Sequence, residues 1–171
     1  MESAGSSFRF ATCVFHHSQC ARNVGSPLPT RVVDVKNPTS AIDPRIYVTS
    51  RECERYVALS HCWGRRLPLR TTKANLPSHE RRIPIDELPQ TFRDAVSLVR
   101  QLGLRYLWID ALCIVQDDEE DWEKEASYMG QIYQGALFTI SPVHAAHSGA
   151  RLFTARSFPV ASVARKGSDM H

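Results

Sequence analysis

Glu125 is the side chain whose type and place most invite chemistry. Trp122 lies three positions before it and Met129 four after it, so helical spacing turns its carboxylate into an apolar arc. A bare buried charge is prohibitive, so such a group must be paired, hydrogen-bonded or used. A cationic partner, for which Arg93 and Arg105 are available, gives it a structural role. Desolvation without one suits an acid, a base or a stabiliser of an oxocarbenium ion. Asp110 is the second candidate carboxylate, with capping of the loop before Cys113 as its structural alternative. Ser60, His61, Cys62 and Trp63 bring hydroxyl, imidazole, thiol and indole together just before Gly64. Neighbours on a strand point to opposite faces, so Ser60, His61 and Cys62 do not make a nucleophile–base dyad by adjacency alone. Ser60, His61, Trp63 and Trp108 are the candidate residues for binding a ligand or cofactor, with core packing as the alternative for Trp108.

A separate cluster lies near the start of the chain. Cys13, His17 and Cys20 form a C-x3-H-x2-C array, and His16 offers a second imidazole. These spacings let three ligands reach one zinc ion, with no evident fourth ligand beyond Cys53 or Cys62. The alternative is a short helix that docks its cysteines and Phe15 on the core.

The elements that must position these groups alternate with little filler between Thr91 and Ser141. Phe92, Ala95, Val96, Val99 and Leu102 recur at helical spacing, and Gly103 stands at the position of a C-terminal cap. Tyr106 to Ile109 is a continuous apolar run that suits a strand buried on both faces, with Asp110 at its carboxyl end. The acidic run from Asp117 to Asp121 announces a second helix, with Trp122, Ala126, Met129 and Tyr133 as its inward stripe. A strand over 136–140 follows, and an earlier one over 56–60 ends at His61. This rhythm predicts α/β architecture with a three-layer, mainly parallel sheet. Ligands of such sheets lie outside the carboxyl ends of the strands, where Ser60 to Trp63, then Asp110, Cys113 and Gln116, then Ser141, His144 and His147 fall.

With 171 residues, 43% of them apolar and 23% charged, the chain has enough material for one domain with a core. No apolar run reaches membrane-spanning length, and the first twenty residues lack the order of a secretory signal, so a cytoplasmic location is expected. Five cysteines are an odd and sparse set for a disulfide framework, which points to reduced thiols or metal ligands. Arg65, Arg66, Arg70, Lys73, Arg81 and Arg82 concentrate positive charge after Gly64. No aromatic residues interleave with them as a nucleic-acid site prefers, so they read as a solvated loop and no nucleic-acid partner is expected.

The blocks YVALSHCWG at 56–64, LPQTFRDAVSLVRQLGLRYLWIDALCIVQDDEEDWEKEASYMGQIYQGALFTIS at 88–141 and SGARLF at 148–153 resemble, in order, the fungal heterokaryon-incompatibility (HET) domain. LPTRVVDV at 28–35 is similar to the segment that often precedes it. On this resemblance the chain divides into a segment 1–27 with the Cys/His array, a HET-type domain 28–153 and an irregular tail 154–171. It departs from the family in His61, where Tyr is frequent, in Ala111, where Ser is frequent, and in stopping eighteen residues after Phe153, as a short or truncated form does. The resemblance implies a cytoplasmic protein of non-self recognition that triggers programmed cell death. It also implies a remote likeness to TIR domains, a flavodoxin-like fold that includes enzymes cleaving NAD. NAD as substrate asks for a carboxylate and an aromatic slot, which Glu125, Asp110, Trp63 and Trp108 supply by type. Two further readings stand beside this one: a non-catalytic TIR-like interaction module, and an inactive truncated paralogue. The partners implied are a second copy of the chain or an incompatibility partner protein.

Overall fold

From Tyr56 onward strands and helices alternate as the hydrophobic patterns require. The computed structural model describes residues 25–36, 42–61 and 69–141. Chain order gives β1 (Ser26–Pro27), β2 (Arg31–Asp34), β3 (Arg45–Val48), β4 (Cys53–Glu54) and β5 (Tyr56–Leu59). Then come α1 (Leu76–His79), α2 (Gln90–Gln101), β6 (Tyr106–Ile109), α3 (Asp110–Cys113), α4 (Glu119–Gly135) and β7 (Phe138–Ile140).

A five-stranded sheet in the order β3-β2-β6-β5-β7 forms the centre, and β1 pairs with β4 in a small separate ribbon. The three strands expected to be neighbours are neighbours, with β5 parallel to β6 and to β7. The expectation of a mainly parallel sheet needs correction, because β2 is antiparallel to both β3 and β6 and the four pairings divide two and two. Only ten residues, 35–44, separate the consecutive strands β2 and β3, too few for the crossover that a parallel pair needs, so the chain returns antiparallel. Every residue of β5 and β6 is buried, as a strand covered on both faces should be, whereas edge strand β7 is only partly so.

The helix α2 buries Thr91, Phe92, Ala95, Val96 and Val99 on one stripe. It ends in a Schellman motif: Gly103 has φ +69°, its amide donates to the Arg100 carbonyl, and the Leu104 amide donates to that of Val99. Helix α4 starts at an Asp118 cap and carries Glu119, Glu120 and Asp121 in its first turn, where the helix dipole favours negative charge. Its inward face differs from the expected stripe at both ends: Ile132 is buried beside Tyr133, and Trp122 is 51% exposed while Asp121 points inward instead. Asp121 accepts from the Val115 amide at 2.9 Å and pairs with the Arg31 guanidinium, which fixes the rotation of the first turn and leaves Trp122 outside.

Across the sheet α4 rests on Tyr56 and Trp108. The Tyr56 hydroxyl donates to the Ile132 carbonyl at 2.6 Å, and Trp108 meets the Tyr133 ring edge-on at 5.5 Å between centroids. Burial pushes the Tyr56 phenol up to about 12, so it remains a donor at any physiological pH. On the β2 side, the fully buried Asp34 carboxylate accepts two bonds from Arg105, each 3.0 Å, with Arg45 3.5 Å away. Burial alone works against its charged form, but the bonds from Arg105 and the Lys36 amide outweigh it and hold Asp34 below the usual range.

Candidate functional site

The connections of β5 and β6 fix where a site can lie. From β5 the chain moves through α2 to β6 on one side, and from β6 it returns through α4 past β5 to β7 on the other. In the order β6-β5-β7 the strand order reverses between β5 and β7, and the carboxyl ends at that point are the usual ligand position of an α/β sheet. His61 leaves the end of β5 and Asp110 follows the end of the neighbouring β6, so the two meet at the carboxyl edge beside that point.

Their separation is 3.6 Å, from His61 Nδ1 to Asp110 Oδ1. Asp110 opens the short helix α3, and its Oδ1 also accepts from the Ala111 amide at 2.7 Å. The segment that leads to Cys113 is thus a helical turn with Asp110 as its first residue. Thr71 clamps that turn from outside: its amide donates to the Ala111 carbonyl at 2.9 Å, and its carbonyl accepts from the Gln116 amide at 2.8 Å. The Gln116 side chain closes the turn by donating to the Asp110 carbonyl.

The His61 side chain is 1% exposed and stands edge-on to Phe92 of α2, with ring centroids 4.9 Å apart. Burial pushes the imidazole below its ordinary 6.5, against a weaker upward pull from Asp110, so the ring is neutral at pH 7. Tyr133 completes the corner from α4. Its hydroxyl bonds the Ser60 side chain, and burial, then the charge of Asp110, push its pKa upward.

Glu125 is 1% exposed, as its candidacy requires. Neither suggested cationic partner reaches it: Arg93 bonds Gln90 and Arg105 bonds Asp34. Its Oε1 has no hydrogen-bond partner among the described residues, and neither do either nitrogen of His61 or Nε1 of Trp108. Each such group carries a desolvation cost of about 1–3 kcal/mol, which proteins retain where it serves a purpose. Cys113 links these groups in space, since Arg31, Asp110 and Glu125 all act on its thiol. Burial is the dominant effect there and pushes the thiol up to about 12, which makes it unreactive.

The structure sets His61 against Asp110 and Tyr133 against Ser60 at the carboxyl ends of β5 and β6, while Trp108 lies fully buried in the core behind Tyr133 and Glu125 is linked to this corner through Cys113. Trp63, Cys62, His144, His147 and the array of Cys13, His17 and Cys20 lie outside the described residues. Among the described residues no three His, Cys, Asp or Glu side chains are grouped to hold a metal ion. Sequence reasoning passed over three site residues. Tyr133 was placed on the inward stripe without a role, although its eight-residue distance from Glu125 puts both on one helix face. Phe92 was read only as part of a helical stripe and Arg31 carries no local signal, because only the tertiary fold brings them here. A groove of 430 Å³ lined by Arg51, Tyr56, Tyr128 and Ile132 lies toward the opposite end of β5 and contains no carboxylate.

The model of the family described as "Heterokaryon incompatibility protein (HET)" matches residues 56–169, two-thirds of the chain. The chain belongs to this family. Membership ties it to heterokaryon incompatibility, while the roles of single residues rest on the geometry above. Comparisons with curated proteins and with solved structures give no match. Within the HET family match lie β5, α2, β6, α3, α4 and β7, hence every residue of the candidate site except Arg31; β2 and β3 precede it yet belong to the same sheet. No helix among the described residues is long and apolar enough to cross a membrane.

Proposed function

We propose that the chain is an effector of heterokaryon incompatibility that triggers cell death in non-self recognition by cleaving the glycosidic bond between nicotinamide and ribose in NAD. The observation that carries this reading is Glu125, a carboxylate buried to 1% exposure whose Oε1 has no protein partner among the described residues. Cleavage of such a bond builds positive charge on the ribose, and a carboxylate held out of water stabilises that charge far better than one in solvent. The Tyr133 ring, backed edge-on by the fully buried Trp108 indole, offers an aromatic face, and Trp108 Nε1 is an unused donor among the described residues. Nicotinamide leaves neutral, so the departure itself requires no acid.

The finer structural reading belongs here as well. The parallel pairings of β5 with β6 and β7, joined through α2 and α4, support a three-layer, flavodoxin-like arrangement of the kind a TIR-like effector would share, since such crossovers are right-handed as a rule. A cytoplasmic location, assembly with a second copy, and zinc held by Cys13, His17 and Cys20 are further parts of this proposal. One observation favours a second reading. Trp122 is 51% exposed between Glu120 and Glu123 on α4, as a recruitment surface would present it, and in that case the chain acts as an interaction module without turnover.

The test is to incubate the purified full chain, concentrated enough to assemble, with NAD and to follow nicotinamide. Release that falls at least about 100-fold in Glu125→Gln supports cleavage through this carboxylate. Assembly without release transfers the function to the interaction reading.

A further inference from the structure

We infer that His61 is the general base of this site, with Nδ1–H turned to Asp110 and Nε2 taking a proton from the water that attacks the ribose. This role rests on the NAD reading above and adds a second catalytic residue to it. Glu125 can stabilise the charged ribose, but water attacking it must lose a proton to something, and a neutral imidazole beside a carboxylate is the group suited to receive it.

Three observations place His61 in that role. Its Nδ1 lies 3.6 Å from Asp110 Oδ1, slightly beyond a hydrogen bond and within the looseness common to catalytic pairs before substrate arrives. The tautomer is thereby chosen, because a carboxylate only accepts, so the proton belongs on Nδ1 and the lone pair on Nε2. Second, the Phe92 ring stands at 89° to the imidazole and fixes its plane, while Asp110 is itself held by α3 and the Thr71 clamp. Third, both ring nitrogens are buried with no hydrogen-bond partner among the described residues, which a merely structural histidine avoids. His79 supplies the contrast within the same chain: it is 7% exposed, and its Nδ1 is bonded to the Thr71 hydroxyl at 3.1 Å.

The step balances without a further reactant. The bond between the ribose anomeric carbon and the pyridinium nitrogen breaks, and its electron pair returns to the ring, which leaves as neutral nicotinamide. Water oxygen bonds to the anomeric carbon, one of its protons passes to His61 Nε2, and the imidazolium then releases that proton to solvent. Asp110, at the start of α3, is the charged group that acts on His61, and it favours the transient imidazolium. Tyr133 of α4 approaches Asp110 as a neutral phenol, and α2 presents the apolar Phe92.

The experiment measures nicotinamide release against pH for the full-length wild type, His61→Gln and Asp110→Asn, with thermal melts to verify folding. Wild-type turnover should be full at pH 7.5 and fall with acid through a midpoint below 6.5, as His61 gains its proton. In His61→Gln turnover should drop about 100-fold at pH 7.5 and the acid limb should disappear, with KM little changed. Asp110→Asn removes the charge that favours imidazolium, so its limb should move further toward acid. An acid limb that persists in folded His61→Gln overturns the base and leaves NAD cleavage intact. No release by folded wild type at any pH overturns the NAD reading and the base with it. If His61→Gln does not fold, nitrogen NMR of the wild-type imidazole decides: an Nδ1–H tautomer titrating with the kinetic limb supports the role, and an Nε2–H tautomer overturns it.

Discussion

Glu125 puts a cost of stability beside a gain of function in one side chain. Its Oε1 is buried without a partner among the described residues, which opposes folding by about 1–3 kcal/mol. Had Arg93 or Arg105 paired with it, replacement by an amide would strand a cation and destabilise the domain. Both guanidiniums are engaged elsewhere, so the sign reverses. Glu125→Gln is expected to keep or raise the melting temperature while abolishing nicotinamide release, and Glu125→Leu to raise it further. Thermal unfolding followed by circular dichroism checks this, and a fall of several degrees in both variants would mean that the carboxylate is a structural group. The sequence marked Glu125 as buried through its spacing to Met129, and that inference held although Trp122, its other premise, faces solvent. What a sequence cannot supply is the partner, because pairing depends on which distant side chains the fold delivers.

At the scale of elements, legibility followed periodicity and capping. Helix α2 was readable because four of its apolar residues, Phe92, Ala95, Val96 and Val99, share a stripe and Gly103 ends it; the structure gives Gln90–Gln101, followed by the Schellman turn. Strands β5 and β6 were readable as apolar runs because both of their faces are buried. The turn α3 was missed, since four residues are too few to show helical spacing and are held by bonds from Thr71 about forty positions away in sequence. Strand β2 was seen as a family segment and not as a member of the sheet, for its pairing with β6 is a long-range event. The Gly103 cap permits a clean test of the local contribution. A Cβ there meets nothing within 4 Å, so Gly103→Ala introduces backbone strain alone at φ +69°. The expected loss is about 1 kcal/mol, read as a downward shift of a few degrees in melting temperature with nicotinamide release retained. A larger loss, or a loss of activity, would show that the cap transmits to the site and does more than end a helix.

For the molecule as a whole, the family match and the folding unit do not coincide. The match begins at Tyr56, yet Leu28, Val32, Val33 and Val35 are fully buried in the core and all precede it. Strand β2 covers the edge of β6, Arg31 donates to the Cys113 carbonyl at 2.7 Å and pairs with Asp121, and the Val35 amide donates to the Arg105 carbonyl at 2.9 Å. A chain beginning at Tyr56 loses all of these at once. It exposes the hydrogen-bonding edge of β6 and the apolar surface that β2 had covered, and it leaves Asp121 without the Arg31 partner that sets the rotation of α4. An uncovered apolar strand edge is a template for association with other chains. Expressed alone, residues 56–171 should therefore aggregate or unfold without cooperativity, whereas residues 25–171 should melt in a single transition. Size-exclusion chromatography and thermal denaturation of the two fragments decide between these outcomes. If the shorter fragment is monomeric and melts as sharply as the longer one, β2 is an accessory strand, and the site at the carboxyl edge of β5 and β6 is organised by the family core alone.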